Sequence, residues 1–191
     1  VTTVNTDPHK VPAGIALAGK TVSDVGENFL FRHGRVDGLR SRHNAFLNGD
    51  GVATETGYRN VRLENITSSN NSDAGFDLKS ASTTGANLIA SGNHNNFKLW
   101  YGQNFDGPIT SVDPSEESGK GAAHILLIGA PDNSSTFRFS HISFRSNNKS
   151  PLFVISPDGG RVRVVIESYD RNVPDGTPMI LDPKKLATVE W

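Results

Sequence analysis

GDGVATE (Gly49–Glu55), DAGFDLK (Asp73–Lys79) and HNNFKLW (His94–Trp100) are three readings of one pattern. Aligning Val52 with Phe76 and Phe97 gives steps of 24 and 21 residues, the length of one turn of a parallel β-solenoid. In each segment alternate residues face inward: Val52 and Thr54, Phe76 and Leu78, Phe97 and Leu99. Successive side chains along a strand point to opposite faces, so the intervening residues face out. Stacking the segments at the ~4.8 Å spacing of neighbouring strands predicts two outer columns. One holds Ala53, Asp77 and Lys98; the next holds Glu55, Lys79 and Trp100.

Composition agrees with a stacked-strand fold. Only 35% of the 191 residues are apolar, and 19 Gly and 10 Pro mark frequent turns. No long segment has a 3.6-residue apolar period, so helices are expected to be few. The net charge of −1 argues against a polycation built for nucleic acid, although Arg32, His33, Arg35, Arg40, Arg42 and His43 form a local basic segment. The chain has no cysteine, which removes disulfides, thiolate metal sites and a cysteine nucleophile. No stretch approaches the ~20 apolar residues of a membrane span. The Val1 start has no signal-peptide pattern and is expected to belong to a processed, trimmed or longer chain.

The expected organisation is a single all-β domain over 1–191, a right-handed parallel β-helix or the C-terminal part of a longer one. Within it, 1–28 has no assigned place, although Ala13–Val22 has strand character, and 29–102 makes regular turns. Residues 103–123 form a long polar loop, 124–171 further turns, and 172–191 a terminal cap. Phe29–Arg32, 23 residues before Val52, reads as an earlier turn. A second strand is expected before each aligned one, at Leu39–Arg42, Asn60–Ile66 and Ala86–Ala90. Asn48, Asn70, Asn71 and Asn93 lie between the paired strands, where asparagine tolerates left-handed angles and can bond from turn to turn.

Chemistry concentrates in the outer columns. Asp50, Asp73 and Asp77 fall on two consecutive turns, and clustered hard oxygens suit Ca²⁺. Lys98 follows Asp77 in the column, an amine placed as a general base provided its pKa falls toward neutrality. A cation and a base together suit removal of a proton alpha to a carboxylate, which in a uronate polymer leads to β-elimination. Trp100 and Tyr101 offer rings for sugar faces, while Arg32 and Lys79 are candidates to hold substrate carboxylates. Glu55 and Lys79 read equally as a cross-strand ion pair.

The order GDGVAT, NNSDAGFDLKS, GNHNNFKLWYG resembles the core of the family nine polysaccharide lyases, right-handed parallel β-helix pectate lyases. The likeness covers roughly 43–102. It implies that Asp50, Asp73 and Asp77 bind calcium, that Lys98 is the Brønsted base, and that the protein is secreted or at the surface of a bacterial cell, acting on an acidic polysaccharide. Ala74 stands where the family has a second adjacent Asp, and the step from Asp77 to Lys98 is shorter than the family's. Two alternatives stay open: a non-catalytic glycan-binding or structural solenoid of adhesin or tailspike type, and a uronate C5-epimerase using Tyr101 or His94 as its second acid.

Overall fold

The computed structural model describes residues 13–18, 25–43, 46–115 and 121–191, with only the backbone of 42, 43, 46 and 47. Among these residues every regular element is a strand, and no helix is long and apolar enough to cross a membrane. In chain order the strands are β1 (Ala13–Leu17), β2 (Gly26–Asp37), β3 (Ser41–His43), β4 (Phe46–Asn48), β5 (Asp50–Thr54), β6 (Tyr58–Ser69), β7 (Ala74–Leu78), β8 (Thr84–Ser91) and β9 (Asn95–Trp100). They continue with β10 (Asn104–Val112), β11 (Ala123–Ile128), β12 (Ser135–Arg145), β13 (Phe153–Ile155), β14 (Val162–Ile166), β15 (Tyr169–Asn172), β16 (Ile180–Leu181) and β17 (Ala187–Glu190).

Two parallel sheets hold nearly all of them. One runs β1-β5-β7-β9-β11-β13-β16; the other runs β17-β14-β12-β10-β8-β6-β2, with β15 pairing β12. From β5 to β14 the chain alternates between the sheets at every strand. Parallel neighbours need a crossover, and here each crossover is a strand of the opposite sheet.

The expected register holds. Val52 pairs with Phe76, and Phe76 with Phe97. Ala53, Asp77 and Lys98 therefore share a column. Inward residues of both sheets form one core. Phe76 stacks on Phe97 with ring centroids 5.0 Å apart, and Phe105 on Phe139 at 5.5 Å. Phe97 meets Phe105 edge-on across the core at 6.3 Å. Such pairs contribute about 0.5–1.5 kcal/mol each beyond area burial.

A buried polar line runs beside the aromatic core. Asn71 Oδ1 accepts from Leu39 N (3.0 Å), and Asn71 Nδ2 donates to Asn93 Oδ1 (2.8 Å). Asn93 Nδ2 donates to Asn96 Oδ1 (2.9 Å), Asn96 Nδ2 to Ser111 Oγ (2.8 Å), and Ser111 Oγ meets His124 Nδ1 at 2.7 Å. The expected role of Asn71 and Asn93 is thus met. Asn70 takes the left-handed φ of 55°, and Asn48 ends β4, paired with Ser41 of β3.

Four expectations change. Phe29–Arg32 belongs to β2 of the eight-stranded sheet, where Phe29 pairs with Val61. The strand before Val52 is β1, with Ile15 opposite it. Alternation identified the inward Phe29 and Phe31 but carries no information on which sheet receives them. Leu39–Arg42 is not the second-sheet strand of its turn; that strand is β2, while β3 and β4 form a separate antiparallel pair. Residues 103–123 are not one loop, because β10 is a nine-residue strand that buries Phe105, Ile109 and Ser111. Its register shifts between Phe105 and Pro108 against β12 and between Asn104 and Ile109 against β8. A bulge there accommodates a proline that cannot donate to the ladder. Residues 172–191, read as a cap, add one short strand to each sheet, β16 and β17.

Candidate functional site

Alanine makes the space for the site. In the outer column of the seven-stranded sheet, Ala16 pairs with Ala53, and Asp77 and Lys98 follow. Small side chains on β1 and β5 beside large ones on β7 and β9 leave a cleft of about 250 Å³. Asp50, Glu55, Asp73, Asp77, Lys79 and Lys98 line it. Asp50 opens β5, Asp73 immediately precedes β7, and Lys79 immediately follows it.

Lys98 stands at the centre. Its Nζ lies 3.0 Å from Asp73 Oδ2 and 3.9 Å from Asp77 Oδ2. Lys79 Nζ bonds Glu55 Oε1 at 2.8 Å and lies 3.4 Å from Asp77 Oδ2. Trp100 Nε1 donates to Asp77 Oδ1 at 2.6 Å, and both ammonium groups lie near its ring, 5.6 Å (Lys79) and 5.9 Å (Lys98) from the centroid. Asp50 Oδ1 accepts from Ala74 N at 3.0 Å. The alanine that replaces the expected second aspartate thus contributes its backbone N–H to the cluster.

Protonation follows from burial and crowding. Burial, then the negative charges of Asp77 and Asp73, push Asp50 up to about 7. Burial also raises Asp77, and Lys98, Lys79 and the indole N–H counter it only in part. Burial pushes Lys98 down, but the charges of Asp77, Asp73 and Asp50 outweigh it and hold the group at about 12. In the free protein the carboxylates around Lys98 keep it an ammonium.

The donor set is chemically suited to calcium: buried hard oxygens, and four carboxylates against two ammonium groups in one cleft. It is not preformed, since among the described residues no three His, Cys, Asp or Glu side chains are arranged to hold a metal ion.

Of the other expected site residues, Trp100 flanks the cleft through its bond to Asp77. Tyr101 is exposed, its ring 5.7 Å from that of Trp100, and lines a separate groove. Arg32 is not brought to the site. It lies on β2 of the other sheet, in register with Glu64 of β6, displaced with the rest of Phe29–Arg32. His94 lies off the cleft, its Nδ1 3.4 Å from Ser115 O. The side chains of Arg42 and His43, and residues Glu116 and Glu117, lie outside the described residues.

Two features escaped sequence reasoning. The alanines that open the cleft carry no chemistry to notice, and β1 had no predicted partner. Gln103 and Arg138 line the second groove, but Gln103 fell in the segment read as a loop. No protein-family model, curated protein or solved structure matches the chain.

Proposed function

We propose that the two sheets are walls of a right-handed parallel β-helix, and that the cleft on its outer face cleaves a uronate-containing polysaccharide by β-elimination. Strict alternation between two parallel sheets supports the first part. The observation that carries the second is the amine of Lys98 set among Asp73, Asp77 and Asp50 in a solvent-accessible cleft.

An excess of carboxylates repels a polyanion unless a cation intervenes, so charge favours a cation-bridged substrate. Asp50, Asp73 and Asp77 would hold the Ca²⁺ ion. An ion held there would offset the charge of these carboxylates and of the substrate carboxylate. Lys98, released from its carboxylate partners, would give up its ammonium proton to solvent and, as the neutral amine, take the C5 proton. The electron pair would form the C4–C5 double bond as the bond from C4 to the glycosidic oxygen breaks, the departing oxygen taking a proton from water. Lys79 lies between Trp100 and Asp77 and orients the substrate carboxylate. Trp100, fixed by its N–H bond to Asp77, presents a ring edge to the sugar.

A second reading has its own support: every charged group of the cluster has an internal partner, as in a static network within a glycan-binding, non-catalytic solenoid. The epimerase alternative needs an acid facing Lys98, and neither Tyr101 nor His94 lines the cleft. The test is incubation with polygalacturonate and with alginate, with Ca²⁺ and then with EDTA, following the ultraviolet absorbance of unsaturated product. A calcium-dependent rise supports the lyase. A folded sample that gives no rise on either polymer overturns it in favour of the binding reading.

A further inference from the structure

Beside the Lys98 cleft, at the corner where β9 leaves the seven-stranded sheet, lies a second groove of about 390 Å³. Thr84, Tyr101, Gln103, Asn104, Thr136 and Arg138 line it. Three observations set this corner apart. Tyr101 has a φ of 62° and is followed by Gly102 at 97°. A bulky residue in the left-handed region is an outlier, kept only where the surroundings enforce it. The enforcement is visible: Gln103 Nε2 donates to Trp100 O (2.8 Å), Leu78 O (3.1 Å) and Ser80 O (3.2 Å). A Cβ on Gly102 would lie 2.8 Å from Thr136 O, so the turn is pressed against β12. This conformation leaves the phenol 41% exposed instead of packed into the core.

The second observation is the chemistry of the walls. Thr84, Thr136 and Asn104 line the same groove as Tyr101 and contribute small polar groups to it, and Arg138, exposed on β12, provides a guanidinium. Gln103 Oε1 is buried and has no hydrogen-bond partner among the described residues. The third is continuity. The Tyr101 ring lies 5.7 Å from that of Trp100, whose indole N–H bonds the Asp77 that faces Lys98. The two aromatic rings join groove to cleft.

We infer that this groove is a remote subsite for the same polymer, taking a further uronate residue with its ring on Tyr101 and its carboxylate on Arg138. This rests on the reading of the cleft as a polysaccharide site. An aromatic platform, hydroxyl-matching side chains and one guanidinium are the groups a uronate ring calls for. An apolar partner would leave Arg138 and the threonines unsatisfied.

The test uses galacturonate oligomers, a dimer and a hexamer, titrated by calorimetry in the presence of calcium into the wild-type chain, Tyr101→Ala and Arg138→Ala. Circular dichroism checks the fold of each variant. Hexamer affinity should fall tenfold or more in both variants, while dimer affinity, set at the cleft, should change less than twofold. Tyr101→Phe should keep the hexamer affinity, which a variant that merely relaxes the turn would not. Unchanged hexamer affinity in folded Tyr101→Ala and Arg138→Ala overturns the subsite, even if polygalacturonate is cleaved. Hexamer binding that depends on Tyr101 in a protein that cleaves nothing upholds the subsite and removes the lyase reading. No hexamer binding to the wild-type chain overturns the subsite and leaves the lyase reading to the cleavage test on both polymers.

Discussion

Lowering the pH should attack the buried polar line at His124. The ring is fully buried, its Nδ1 lies 2.7 Å from Ser111 Oγ, and Phe144 closes on it with centroids 5.4 Å apart. Burial pushes its pKa from 6.5 down to about 4. Between those values the unfolded chain takes up a proton that the folded protein refuses. Stability rises with pH wherever the unfolded state binds more protons, so this histidine removes stability as pH falls through that window. From pH 7 to pH 5 the loss is roughly 2 kcal/mol, and well below pH 4 it approaches about 3 kcal/mol. Asp50 works in the opposite direction. Raised to about 7, it holds a proton in the folded state that the unfolded chain has released. The total pH dependence is therefore not the readout. The readout is the difference between the wild-type chain and His124→Asn, whose amide can still meet Ser111 but gains no charge. Any cavity the substitution leaves affects both pH values alike and cancels. Urea titrations at pH 7 and pH 5 should show the wild-type chain losing about 2 kcal/mol more than the variant. Equal losses would refute the account of a buried neutral imidazole.

Three further outcomes are expected. Lys98→Ala should abolish formation of unsaturated product while circular dichroism stays that of the wild type; full activity would end the mechanism. Asp77→Asn keeps an acceptor for the Trp100 indole and removes one charge, so calcium affinity measured by calorimetry should drop roughly tenfold or more. Unchanged affinity would make the aspartates turn residues rather than ligands. Asn93→Ala leaves Asn71 and Asn96 without their shared partner inside the line. It should cost about 1–3 kcal/mol for each orphaned group, seen as a lower urea midpoint, and a loss below 0.5 kcal/mol would mean that the line bears no weight.

The spacing of apolar residues made part of this molecule legible and hid part of it. Val52, Phe76 and Phe97 are inward residues on adjacent parallel strands, so their steps measured a real repeat, and the outer columns followed from the pleat. Phe29 shows the limit. Its 23-residue step mimicked the repeat while the strand lay in the other sheet, because alternation reports faces and not partners. The excursion through β3 and β4 stretched the true step from Ile15 to Val52, and no periodicity test tolerates such an insertion. β10 was missed because a bulge at Gly107 and Pro108 breaks the two-residue period in mid-strand, which reads as loop composition.

The site was legible as a set of residues and not as a charge state. Register alone put Asp77 beside Lys98, and the turn before β7 brought Asp73 to the same amine. What no spacing reveals is the balance at that amine: burial lowers it, three carboxylates raise it, and the carboxylates win. The same geometry that recommends Lys98 as a base therefore keeps it protonated in the free protein. Any chemistry at Lys98 must begin by drawing those carboxylates away, and an ion that binds them does so by competing with the lysine itself. Calcium affinity and Lys98 protonation are then two readings of one competition. Lys98→Ala, which removes the competitor, should bind calcium more tightly than the wild-type chain while cleaving nothing. Weaker binding in that variant would mean that the ammonium helps to build the ion's site, and the competition would be ruled out.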